Sequence, residues 1–245
     1  MTLAGTGPPG EHLLWSPEDF VVRLCGQGAR YHDLHPFHRR MDAGELTREE
    51  LQRWVANRFY YQTCIPLKDA AILANCPDVA VRREWIKRIV DHDGTTEGTG
   101  GIEAWLRLGD AVGLSRGALV SQEGVLPAVR YAVDAYVNFA RRRPWLEAVA
   151  ASLTELFGPA AIRVRLEALE RHYPWIEAGG LEYFHTRLVK APRDARYALN
   201  LVVERCRASE QQDAAVAALG FKTEMLWAML DAIERGSNQP PGPGG

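Results

Sequence analysis

The chain has 245 residues, 47% hydrophobic and 24% charged, with a formal net charge of -2. That length and apolar content suit one well-buried domain, and the near-neutral balance implies no general affinity for nucleic acid. No apolar run reaches the length that spans a membrane as a helix.

The opening residues, MTLAGTGPPGEHLLW, lack a basic start and a long apolar centre, so no signal peptide is predicted and residues 1–15 read as a flexible N-terminus. Ser16-Pro17-Glu18 is a helix start: a cap, proline at the first helical position, and an acid in the first turn. This helix should end near Gly26 or Gly28. The next stretch, ARYHDLHPFHRRM, reads as a loop holding His32, His35 and His38 beside Tyr31 and Phe37. Thr47 and Glu50 form a capping-box pair that opens a long helix running to about Asn75. Leu51, Trp54, Val55, Phe59 and Ile65 recur on it at helical spacing, and Pro66 interrupts it.

Cys76-Pro77-Asp78 restarts a helix that reaches Asp91-His92-Asp93-Gly94. Residues 94–101 are glycine-rich but follow no strand, so they do not read as a phosphate loop. Further helices are predicted for Ile102 to Val112, a short one from Ser115, one opened by Pro127, and one from Pro144 through Leu156. Gly158-Pro159 marks a break, and residues 160–171 resume the helical period. After the turn at His172-Tyr173-Pro174-Trp175, a helix follows Gly179-Gly180 over LEYFHTRLVKA. Two closing helices cover about Arg193–Arg207 and Ser209–Arg235. Residues 237–245, rich in proline and glycine, read as a disordered tail. Strand-like alternation is lacking, so the predicted architecture is a compact, all-α, single-domain bundle over residues 16–236.

Four cysteines, Cys25, Cys64, Cys76 and Cys206, show no CxxC spacing, which suits free thiols in a reducing cytoplasm. More telling are polar residues set four apart on otherwise apolar helices: Arg58 with Gln62, Arg88 with His92, and Tyr183 with Arg187. Tyr136, Glu155, Arg165 and Lys222 add single polar groups beside apolar neighbours. Any one of these suits a solvated face. Together they suit a pocket that grips a multiply charged anion, since arginine forks match carboxylates.

The blocks WVANRFYYQTCIPLKDAAILANCPD, DHDG with GGIEAWLRLG, VDAYVNFARR with SLTELFGP, and HYPWI resemble the pyrroloquinoline-quinone (PQQ) synthase family, in the same order and with similar spacing. The resemblance runs from about Phe20 to about Ala232. It implies a haem-oxygenase-like bundle, a homodimer, and the last step of PQQ biosynthesis. In that step the bicyclic tricarboxylate AHQQ is ring-closed and oxidised by molecular oxygen, with hydrogen peroxide released and no metal or organic cofactor. It also implies the site. Tyr31, His32, Arg58, Gln62, Arg88, Tyr136, Glu155, Arg165 and Lys222 match substrate-binding positions, and His92, Tyr183 and Arg187 match the oxygen-activating core, with His92 as general base. One position departs. The family usually has a histidine three residues after the LFxP motif, where this chain has Ile162, which can neither donate nor accept a proton.

Alternatives come from single motifs. His35-Pro36-Phe37-His38 suggests a metal but reads better as local capping or packing. Glu182-Tyr183-Phe184-His185 is one ExxH where a di-iron bundle needs two. A thiamin-degrading activity would need a nucleophilic cysteine, and Cys64 and Cys206 read as core thiols. A non-catalytic carrier of PQQ would use the same arginines. Tyr60, Tyr61, Trp85 and Trp105 read as core, and Asp91-His92-Asp93 as a helix end whose dipole raises the pKa of His92.

Overall fold

The computed structural model describes residues 14–236. The tail 237–245 and nearly all of the expected N-terminal flexible stretch lie outside the described residues. Trp15, expected in that stretch, is tied down: its backbone N–H donates to Gln212 Oε1 at 2.9 Å and Arg23 lies 4.2 Å over its ring.

Among the described residues the chain is all helix and turn, with no strand. Helix α1 (Pro17–Gly26) begins as predicted, with Ser16 accepting from the Asp19 N–H. The segment expected as a loop is more ordered than its composition suggests. A 3-10 turn (His32–Leu34) leads into α2 (Pro36–Asp42), whose start is capped by the His35 ring accepting from Phe37 N–H at 3.1 Å. Histidine is not an ordinary capping residue, so the start is hidden from the usual pattern.

Helix α3 (Arg48–Asn75) carries the capping box of Thr47 and Glu50 and continues across Pro66, which was expected to interrupt it. Pro66 has no N–H, so the Gln62 carbonyl receives no bond from it. Helix α4 (Val79–Asp93) is capped by Asp78 and stopped by Gly94, at φ +82°. Then come α5 (Gly100–Val112), α6 (Arg116–Ser121) and α7 (Pro127–Arg142). The helix expected from Pro144 to Leu156 divides into α8 (Trp145–Ala151) and a 3-10 segment (Ser152–Leu156). The break at Gly158-Pro159 is instead the first turn of α9 (Gly158–His172), where proline needs no N–H partner.

A second difference lies in α10 (Glu182–Arg205), which is continuous across Pro192 where two helices were expected. Packing explains it. Ala191 and Ala195 are buried against the bundle, and Lys190 and Arg193 both pair with Asp91 of α4. Tertiary contacts outweigh the single lost backbone bond. Helix α11 (Ser209–Arg235) closes the chain.

Helix α3 lies at the centre, packed against α4, α5 and α7. Helix α11 rests on α7 and α8, while α10 covers α9, α5 and the Ser152–Leu156 segment. Trp54, Trp85 and Trp105 are almost fully buried. Each such ring removes ~150–250 Å² from water, a gross gain of about 4–6 kcal/mol. Trp54 and Trp105 meet edge to face at 5.3 Å, and Trp105 meets Tyr183 at 4.8 Å. This aromatic chain fixes Tyr183 on the inner face of α10.

Candidate active site

A cavity of about 70 Å³ lies between α3, α4, α10 and the two 3-10 segments. Seven of the residues singled out in the sequence line it: Tyr31, His32, Arg58, His92, Glu155, Tyr183 and Arg187. The other five stand directly behind. Gln62 donates to the Tyr183 hydroxyl at 3.0 Å. Arg88 pairs with Glu155, Lys222 lies over Tyr136 at 3.6 Å, and Arg165 lies over Trp54 at 6.0 Å. Ile162 is on the cavity wall, so the departure from the family pattern falls inside the site.

The charges divide into two groups. On one side they are compensated. Arg88 holds Glu155 through both ends of its fork, at 2.7 and 2.9 Å, and its Nε reaches Asp69 at 3.3 Å. Arg187 donates to the same Glu155 at 3.0 Å and lies 3.5 Å from Asp194. Lys68 donates to Asp69 at 2.6 Å and to Ser152 at 3.0 Å, and Trp85 Nε1 adds a bond to Asp69 at 2.8 Å. Burial alone would raise the Glu155 pKa, but Arg88 and then Arg187 outweigh it and hold it at about 2.

On the other side, among the described residues, three basic side chains have no hydrogen bond to a carboxylate. Lys222 is 1% exposed and donates to the Tyr61 hydroxyl at 2.9 Å. Burial first, then Lys68 and Arg58, lower its pKa well below the usual lysine range. Arg58 stacks on Tyr61 at 4.7 Å, and its buried Nη1 has no hydrogen-bond partner among the described residues. Arg165 leaves Nε and Nη2 unpartnered, with Asp42 at 3.8 Å its nearest carboxylate. Among the described residues both buried ring nitrogens of His32 are without a hydrogen-bond partner as well. Leaving such groups unpaired costs free energy that a bound polyanion would recover.

His92 sits at the junction of the two groups. Its Nδ1 lies 2.9 Å from the Arg88 carbonyl, which makes Nδ1 the protonated nitrogen and leaves Nε2 with a lone pair. The sequence had suggested a raised pKa from the helix dipole. The reverse holds: burial first, then Arg187, lower it to about 4 against the Arg88 bond. The imidazole is therefore neutral at pH 7 and able to accept a proton.

Sequence reasoning missed several contributors. Tyr61, read as core, lines the cavity and receives the Lys222 bond. Asp69 and Asp194 anchor the compensated side. An acid one residue from a lysine on a long helix carried no signal of that role. The minor motifs resolve as local structure. His38 Nδ1 donates to the His32 carbonyl at 2.8 Å, and His35 Nε2 lies 3.3 Å from Asp231. Glu182 pairs with Arg107, and His185 is exposed near Glu170. Among the described residues no group of three His, Cys, Asp or Glu side chains is placed to hold a metal ion. Burial raises the thiols of Cys64 and Cys206, the latter to about 11, and neither lines the cavity.

The fold is that of haem-oxygenase-like bundles. A domain of that fold from Shewanella denitrificans matches with a TM-score of 0.76 at 13% identity, over 92% of this chain and 95% of that one. A TenA homologue from P. horikoshii matches with a TM-score of 0.66 at 16% identity, over 89% and 98%. In sequence, residues 23–232 match the TENA/THI-4/PQQC family. A pyrroloquinoline-quinone synthase of Cronobacter sakazakii is 56% identical over 223 residues, 91% of this chain and 89% of that protein. One from Pseudomonas aeruginosa is 58% identical over 215 residues, 88% and 86%. The chain belongs to the TENA/THI-4/PQQC family, on its pyrroloquinoline-quinone synthase branch.

Proposed function

We propose that the protein acts in pyrroloquinoline quinone biosynthesis as the oxidase of its final step, closing the last ring of AHQQ and oxidising it with molecular oxygen. The observation that carries this reading is Arg58 in the wall of the cavity that also holds neutral His92, with Arg165 and Lys222 buried behind it, none of the three hydrogen-bonded to a carboxylate among the described residues. Two arginines suit the carboxylates of such a substrate, and a carboxylate beside Lys222 would favour that lysine's charged form. His92 Nε2 takes a proton from substrate carbon or nitrogen, and the electron-rich anion that results reduces oxygen directly. In each such oxidation the substrate gives up two electrons and two protons, and one oxygen molecule becomes one hydrogen peroxide. Arg187, protonated His92 and the Tyr183 hydroxyl stabilise the developing peroxide anion. No separate electron carrier enters this scheme.

The resemblance also implies a homodimer, and the cysteine pattern a reducing cytoplasm. Four free thiols suit that compartment, and no described helix is long and apolar enough to cross a membrane. A second reading, a PQQ carrier, draws on apolar Ile162 standing in the cavity wall.

Anaerobic mixing with AHQQ followed by oxygen separates the two. The oxidase gives an absorbance change and peroxide only after oxygen arrives; binding without turnover makes the protein a carrier. In the oxidase, His92→Ala lowers turnover by about a hundredfold or more, while affinity for PQQ changes far less. Equal losses in both would remove His92 from the chemistry.

A further inference from the structure

His92, Tyr183 and Arg187 line a second cavity on their other side. It encloses about 150 Å³, against about 70 Å³ in the site already described. Its inner lining is small: Gly100, Gly101 and Ala104 at the start of α5. The geometry of the glycine turn keeps it open. Gly100, at φ +91°, is pressed so tightly on the end of α4 that an added Cβ would lie 2.4 Å from Gly94 N. A Cβ at Gly101 would instead sit at ordinary contact distance, 3.6 Å from His92 Cδ2. Any longer side chain there would enter the chamber beside the imidazole.

Toward solvent, half-buried Thr186 and the charged residues Asp91, Glu182 and Lys190 form the rim. These charges are already matched. Lys190 holds Asp91 at 2.8 Å, Glu182 pairs with Arg107, and Arg187 is bonded to Glu155. The rim charges of the chamber are thus paired, and Arg187 keeps one buried Nη1, 3.5 Å from Asp194, without a hydrogen bond among the described residues. The chamber fits a small neutral guest. With the organic substrate assigned to the cavity lined by Arg58 and Tyr61, this chamber gives a second reactant its own approach to the three shared residues.

We propose that this chamber is the entry and holding site for dioxygen, which reaches His92, Tyr183 and Arg187 from the face opposite the organic substrate, and that peroxide leaves by the same rim. This inference rests on the oxidase reading above.

Two plugging variants test it, Gly101→Val and Thr186→Leu, chosen so that one fills the inner end and the other the half-exposed rim. The expected result in each is a Michaelis constant for oxygen raised by about fivefold or more, with the dissociation constant for PQQ within about twofold of the wild type. Crystals of the wild-type protein under xenon pressure should show a xenon atom in the chamber, and Gly101→Val crystals should not. An unchanged oxygen constant in folded plugged variants, or a wild-type chamber without xenon, overturns the inference while the oxidase reading stands. A wild-type protein that consumes no oxygen with AHQQ overturns both.

Discussion

A neutral imidazole buried beside a guanidinium makes the fold sensitive to acid. The pKa of His92 is about 4 in the fold, against about 6.5 in an unfolded chain. Above pH 6.5 neither state is protonated there, and the full stability is present. As pH falls from 6.5 toward 4, only the unfolded chain takes up the proton, so stability is lost. The loss from His92 is about 3 kcal/mol over that window. His32 and His38, also lowered by burial, act in the same direction. Urea unfolding at neutral and at acidic pH should therefore show a smaller acid loss in His92→Gln than in the wild type; identical losses would refute the neutral assignment. The residue types of the site were legible because cations and histidines recur at four-residue spacing on apolar helices. Tyr61 was not, since a tyrosine in an aromatic stripe is indistinguishable from core until its hydroxyl is placed. The direction of the His92 shift was not legible either, because the dipole is a local feature and burial is a tertiary one.

Helix starts and stops were legible wherever ordinary capping chemistry marked them: Ser16, Thr47 with Glu50, Ser115, and Gly113 in its left-handed conformation. They failed where a tertiary partner decided. Pro192 should have broken α10, yet the clamp of Lys190 and Arg193 on Asp91 carries the helix through. The α2 start failed for a different reason, its unusual histidine cap. The α4–α5 turn gives a test of how tightly an element positions His92. Gly98 and Gly100 both have positive φ, at +78° and +91°, but only Gly100 lacks room for a Cβ. Gly98→Ala should cost about 1 kcal/mol, the conformational term alone. Gly100→Ala should cost about 2 kcal/mol or more and lower the melting temperature by about 4–8 °C, with slower turnover as the end of α4 shifts. Equal melting temperatures for the two variants would show that the close approach to Gly94 is not what holds the turn.

At the scale of the whole molecule, the bundle sets two charge populations side by side around a small space. The all-α architecture could be read from the sequence, and so could a pocket for an anion. The division could not, because it depends on which carboxylate meets which cation across four separate helices. Asp69 and Asp194, far apart in sequence, close the balance around Arg88. In this account the balanced side is a platform for proton and oxygen chemistry, and the unbalanced side binds. The most direct measurement is the dissociation constant of PQQ for the wild type, Lys222→Met and Glu155→Gln near neutral pH. Lys222→Met is expected to weaken binding by about tenfold or more, whereas folded Glu155→Gln binds at least as tightly as the wild type, because it removes a negative charge beside an anion. Weakening of similar size in both variants would contradict the division, and would make Glu155 a direct contact of the ligand.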